Sequence, residues 1–334
     1  MEPMAYSYRG DMRDLIYTGN IAVVDSEGKA LYYYGDINKV AFARSSAKPM
    51  QAMCAVESGA VDAYGLTEEE LALLCASHNG EPIHVAAVRS VLAKAGLDEG
   101  YLQCGVHAPL YPEAARELSE QGIAPSEVHC NCSGKHSGML ITAKYLGESL
   151  NDYYVREHNV QKRIREMIGD ICCYDSEKII LGTDGCGVPV HALPLYNFAW
   201  GVARMSRPET LGQKRAAYAG RIISAMMHYP AMTSGTGRID KALMETFKGS
   251  LFAKSGAAGY YIVGLKDKGI GIAVKIDDGN GDVRNMAVVE VLRQLGVITV
   301  NEQKIFESYA RQEVYNHKQE LVGYTKPEFT LHKA

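Results

Sequence analysis

The sequence has no apolar run long enough to span a membrane, no excess of basic residues, and no internal repeat, low-complexity tract or linker. Each absence removes a class of function. A bilayer-crossing helix needs about 20 consecutive apolar residues, so no membrane span is expected. A formal net charge of −4 over 334 residues gives no electrostatic reason to expect nucleic acid or an anionic membrane as partner, which leaves a small-molecule substrate. The stretch from Met1 to Asp14 is acidic, carries Pro3 and has no apolar core. It reads as neither secretory signal nor transit peptide, and the expected location is the cytoplasm. Cysteines stand at 54, 75, 104, 130, 132, 172, 173 and 186, but no pair has Cys-x-x-Cys spacing. In a chain of this size they are expected to be reduced, some packed in the core and a few available as ligands.

What is present is a globular composition, 47% hydrophobic and 22% charged. Ile21-Ala22-Val23-Val24 and Leu31-Tyr32-Tyr33-Tyr34 flank Asp25-Ser26-Glu27-Gly28-Lys29, which predicts an N-terminal hairpin. A second hairpin is expected from Tyr260 to Leu265 and Ile270 to Ile276, followed by a turn over Asp277 to Asp282 and a helix from Met286 to Leu295. Between them, Thr67-x-x-Glu70 is a capping box, Ile83 to Ala95 is amphipathic, and further helices are predicted at about 112–121, 135–146, 158–168, 208–228 and 238–247. One strand-like run, Lys178 to Gly182, interrupts them. The pattern predicts an α/β protein whose antiparallel sheet comes from both chain ends (1–43 and 235–334) and whose middle (44–234) is largely helical, within a single catalytic domain over 1–334.

Three constellations carry chemistry. Ser45 and Lys48, in Arg44-Ser45-Ser46-Ala47-Lys48-Pro49, lie on one face if a helix starts here, which suits a serine nucleophile with a lysine base. Such a base must fall from about 10.4 to about 7, so burial with a second cation nearby would help. The same residues would equally make a helix start capped by Ser45 or Ser46 with Lys48 in solvent. Lys254-Ser255-Gly256, ahead of the second hairpin, supplies a candidate second cation, and an upstream Ser-x-x-Lys with a downstream Lys-Ser/Thr-Gly is a pattern of serine β-lactamases. Ser77, in Ser77-His78-Asn79, is a candidate proton relay next to Lys48, the alternative being a segment whose His78 and Asn79 simply cap or end the preceding helix. Cys130-Asn131-Cys132-Ser133-Gly134-Lys135-His136 and Asp184-Gly185-Cys186-Gly187 put cysteines on two glycine-containing loops, where they could share a metal or simply pack. An α-amino-acid site needs a cation and an anion. Arg44 and Asp184 are the candidates, with Arg238 in reserve as a carboxylate binder.

Taken in order, these motifs resemble the Rhizobium-etli-type L-asparaginases, the thermolabile or inducible asparaginase II family. The resemblance runs through Asn20 to Val24, Arg44 to Gln51, Cys75 to His78, Cys132 to His136, Asp184 to Pro189 and Gly256 to Gly259. It implies a serine-β-lactamase- or penicillin-binding-protein-like fold and a homodimer. It also implies hydrolysis of L-asparagine to aspartate and ammonia, with Ser45, Lys48, Ser77 and Lys254 as catalytic residues. It further implies zinc held by Cys132, Lys135 and Cys186, with Asp184 and His136 nearby as substrate-side groups. Ser255 and Ala258 stand where glycine and glutamate are expected, and Asn79 replaces an expected serine, which bears on how Lys254 is held and how the substrate ammonium is recognised. The rival readings are a glutaminase, a β-lactamase or peptidase, and a catalytically silent zinc-binding amino-acid sensor.

Overall fold

The computed structural model describes residues 2–334. Twelve strands follow in chain order: β1 Pro3–Arg9, β2 Met12–Asp25, β3 Ala30–Tyr34, β4 Val40–Phe42, β5 Ile180–Thr183, β6 Pro189–Pro194, β7 Leu251–Ser255, β8 Tyr260–Leu265, β9 Ile270–Ile276, β10 Gln312–Tyr315, β11 Leu321–Pro327 and β12 His332–Lys333. The main antiparallel sheet runs β10-β11-β1-β2-β9-β8-β7, so both chain ends build it and a helical middle is inserted between them. Both expected hairpins are present: Ile21 pairs Tyr34, and Leu265 pairs Ile270. The sequence reading missed β1 and the first half of β2. There Met12, Leu15 and Ile16 remain exposed, so no alternation of buried and solvated residues marks the strand.

The predicted helices fall at Glu68–Leu74, Pro82–Lys94, Pro112–Glu120, Ser133–Tyr145, Asn159–Ile171, Gln213–His228, Ile239–Thr246 and Gly281–Gln294. Thr67 and Glu70 form the expected reciprocal cap, each side chain accepting from the other's backbone N–H. A helix from Leu195 to Ser206 was not foreseen, and it covers one face of the main sheet. Contact there is so close that a Cβ on Gly271 would stand 2.0 Å from the Ala199 carbonyl oxygen, so only glycine lets this helix lie on β9. No helix among the described residues is long and apolar enough to cross a membrane.

A second sheet matters more for function. β4 and β5 both pair antiparallel with β6, so they run parallel to each other and end at the same side. Arg44 and Ser45 follow the end of β4, and Asp184 follows the end of β5. Residues 140 positions apart in sequence are thereby delivered to one place.

Candidate active site

The nucleophile turn is strained and closely supported. Arg44 adopts φ 53°, a left-handed conformation costly for a side chain with a Cβ, and it opens a single 3-10 turn over Arg44–Ala47 that leads directly into the helix Lys48–Glu57. No side chain caps that helix, and Lys48 is only 1% exposed. The alternative of a serine-capped helix start with Lys48 in solvent is therefore excluded. The edge strand β7 lies against this turn. Ser46 Oγ donates to the Lys254 carbonyl at 3.1 Å, and a Cβ on Gly256 would come within 2.8 Å of both Ser46 Oγ and the Ala43 carbonyl.

Lys48 is held by acceptors from two segments. Its Nζ donates to the Ala76 carbonyl at 2.6 Å, to Ser77 Oγ at 2.9 Å and to Cys132 Sγ at 3.2 Å. This brings Ser77 next to Lys48, as the relay idea requires, and joins the Ser45 turn to the cysteine loops. Among the described residues no hydrogen bond links Lys48 to Ser45 Oγ; the Lys48 nitrogen is committed to Ser77 and Cys132. His78 and Asn79 have other work than ending the preceding helix. The ring of His78 meets Ser133 Oγ at 2.9 Å and Asn79 Nδ2 donates to the Thr236 carbonyl at 2.9 Å, which fixes this segment against two neighbouring loops.

Lys254 is fully buried. Burial disfavours its ammonium, Asp240 opposes that effect, and the positive charges of Lys48, Arg238 and Arg284 reinforce it, so its value is brought down to about 7. Its Nζ donates to the Ser255 carbonyl at 2.9 Å. Asp240 was not selected from sequence. An acidic residue in the first turn of a helix is common enough to pass as ordinary dipole compensation, so its role shows only in three dimensions.

The thiol wall is a chain of sulfurs. Hydrogen bonds from the Cys130 and Cys186 thiols, with the ammonium groups of Lys48 and Lys135, pull Cys132 well below the usual thiol value, while Cys130 and Cys186 are pushed up. Lys135 Nζ donates to Cys186 Sγ at 3.0 Å. Burial pushes the Lys135 ammonium down, but Cys186, Cys132 and Asp184 raise it by more. Among the described residues no three His, Cys, Asp or Glu side chains converge on a common metal position. The donors gathered here are two sulfurs and the Lys135 nitrogen. Cys172 and Cys54 pack in the core, as do most of the other thiols, and all eight cysteines are free.

Arg44 and Asp184 meet in an ion pair, with Nε and Nη2 at 2.8 and 2.6 Å from Asp184 Oδ1. They line a cleft of about 570 Å³ together with Ser45, Asn131, Cys132 and Cys186, and the loop from Cys104 to Leu110 forms its rim. His107 on that rim was not anticipated as a site neighbour; it accepts from the Asn131 N–H at 3.0 Å and so braces the Cys130–Cys132 loop. Two expected residues lie elsewhere. His136 is buried with its ring at 2.7 Å from the Tyr153 hydroxyl and does not line the cleft. Arg238 also lies off the cleft, at the turn that leads into the helix Ile239–Thr246.

A search of curated proteins finds no match. Among solved structures, the chain is similar to a β-lactamase from Mycobacterium bovis at 15% identity and TM-score 0.44, covering 83% of this chain and 94% of that one. A class D β-lactamase aligns at 13% identity and TM-score 0.39, over 85% and 93% of the two chains. The family model described as L-asparaginase II matches residues 5–327. Ser45 and the two cysteine loops line one cleft with Lys48 and Ser77 buried behind Cys132, and with a family match across nearly its whole length this chain belongs to the L-asparaginase II family of amidohydrolases.

Proposed function

We propose that the protein hydrolyses L-asparagine to L-aspartate and ammonia through a covalent ester on Ser45. The observation that carries this reading is the buried Lys48 amine, bonded to Ser77 Oγ at 2.9 Å in the helix that starts directly from the Ser45 turn. Lys48 first gives a proton to Cys132 Sγ, which it touches at 3.2 Å, and the neutral amine so formed takes the Ser45 proton as Ser45 Oγ attacks the side-chain amide carbon. The oxyanion that forms is held by backbone N–H groups, including that of Ser45. Lys48 returns a proton through Ser77 to the amide nitrogen, ammonia leaves, and water then cleaves the β-aspartyl ester by the same proton path in reverse. Lys254 exchanges its proton near neutrality, so it gives the rate a pH limb near 7.

Arg44 and Asp184 fit the two charged groups of an α-amino acid. The guanidinium takes the carboxylate, the Asp184 carboxylate takes the ammonium, and the ion pair they form with each other opens to admit both. Zinc fits the thiol wall: Cys132, Cys186 and Lys135 would hold it, tying the two loops together and fixing Asp184 above them. Cytoplasmic residence, in which the free thiols stay reduced, and a homodimeric assembly complete the reading.

The test is ammonia release from asparagine and from glutamine, with ring opening of a β-lactam as control. Asparagine is the expected substrate. Glutamine, longer by one methylene, should trail by roughly 10- to 200-fold. Ser45→Ala should lower kcat by about 10⁴-fold or more. A variant that keeps most of its rate removes Ser45 as nucleophile.

A further inference from the structure

We propose that Asp240 is a positioning residue for this site, holding both the edge strand that carries Lys254 and the proton of Lys254 itself. The inference rests on the reading of Lys254 as part of the reaction, but its geometry is independent of that reading. β7 is the last strand of the main sheet, so one of its edges has no strand partner. The peptide unit joining Lys254 to Ser255 is gripped at both ends, its N–H on that open edge and its carbonyl on the opposite side. Its carbonyl accepts from Ser46 Oγ, next to the nucleophile, and its N–H donates to Asp240 Oδ1. One rigid peptide therefore links the helix bearing Asp240 to the turn bearing Ser45.

The same carboxylate oxygen stands 3.9 Å from Lys254 Nζ. Asp240 is 1% exposed and Lys254 is fully buried, so little solvent screens the pair. The other charges that weigh most on Lys254 are cations: Lys48 from the helix after the nucleophile turn, Arg238 from the turn before Asp240, and Arg284 from the helix Gly281–Gln294. The Cys75 thiol also faces Lys254, and burial keeps it protonated. Asp240 is thus the leading carboxylate set against three cations. Ala258 stands where the resemblance led us to expect a glutamate, and Asp240, from a different element, supplies the carboxylate beside Lys254.

Asp240→Asn separates the two roles, because the amide oxygen can still accept from the Ser255 N–H while the charge is gone. With asparagine as substrate, the pH limb near 7 that Lys254→Met abolishes is expected to move to lower pH by about one unit or more, with KM changed less than about threefold. Asp240→Glu should return the limb toward its original position. A second readout needs no turnover: the Lys254 side chain is followed by NMR through its Cε and Nζ chemical shifts, assigned by their loss in Lys254→Met. Its titration should move down in Asp240→Asn by the same amount. If the NMR titration moves and no asparaginase activity exists in the wild type, the reaction is wrong and the Asp240 inference stands. If neither the limb nor the NMR titration moves in a folded Asp240→Asn protein, Asp240 is only a strand clamp and the inference fails.

Discussion

Lys254 and Lys135 are both buried, and their surroundings drive them in opposite directions. Around Lys254, burial and three cations outweigh one carboxylate, and the ammonium loosens to about 7. Around Lys135, two sulfurs and the Asp184 carboxylate outweigh burial, and the ammonium is held more firmly than in water. The difference teaches that burial alone does not make a lysine into a base. The charge balance of its neighbours decides, so one wall of the site is built to exchange protons near neutrality and the other to hold charge.

The largest expected consequence is crossed. Lys254→Met should lower kcat by about 10³-fold while making the protein more stable at pH 6, because it removes a buried amine that must be protonated there at a cost. The sign follows from linkage. A lysine near 7 in the fold and near 10.4 unfolded leaves the unfolded chain holding more protons between those values, so the penalty is full below about 7 and fades as pH rises towards 10.4. The shift corresponds to a penalty on the order of 4 kcal/mol, and the buried Asp240 left behind should return part of it. Urea melts at pH 6 and pH 9.5 check this: the gain over wild type should shrink at the higher pH. An equal gain at both would show that Lys254 is not neutral in the native state.

Lys135→Met should do the reverse. A lysine raised above its unfolded value contributes stability that is present below about 10.4 and is lost as pH rises above it. Removing it takes away one of the two cations, the other being Lys48, that favour the charge on Cys132, and about 2 kcal/mol of stability should be lost at pH 7, measured by urea melts with a chelator present. Metal analysis of the same variant should show zinc falling from near one per chain to well below it. If Lys135→Met instead cost activity as heavily as Lys254→Met with zinc retained, the two walls would not be divided as described.

How much of this was readable in the sequence depends on how local the signal is. The capping box at Thr67 and both hairpins are local, and each is found where the sequence placed it; at the equally local Ser45 and Lys48 pair, Lys48 is buried at a helix start and bonds Ser77 rather than Ser45. The meeting of Arg44 with Asp184 depends on β4 and β5 running parallel on either side of β6, and β6 gave no signal because its residues are buried on both faces and bounded by prolines. Asp240 was invisible for another reason. Nothing in its helix distinguishes it from a solvent-facing acidic residue until β7 is laid beside it. His136, which the resemblance put near the site, follows Lys135 by one helical step, which turns a side chain about 100° away, and its ring meets Tyr153.

The smallest expected effect separates charge from backbone shape at the Lys254 wall. Ala258 closes the turn after β7 with φ 54°, beside Gly259 at φ 72°. A left-handed alanine costs about 1–2 kcal/mol, and a glycine there recovers that strain while losing about 0.5–1 kcal/mol through its freer unfolded chain. Ala258→Gly should therefore stabilise the protein by roughly 0.5 kcal/mol in thermal or urea melts. Lys254 should not notice, since Ala258 has no charge and the groups that act on Lys254 lie on other elements. A pH limb that moves in Ala258→Gly as far as in Asp240→Asn would mean that the shape of this turn, rather than the count of charges around Lys254, distinguishes the two walls.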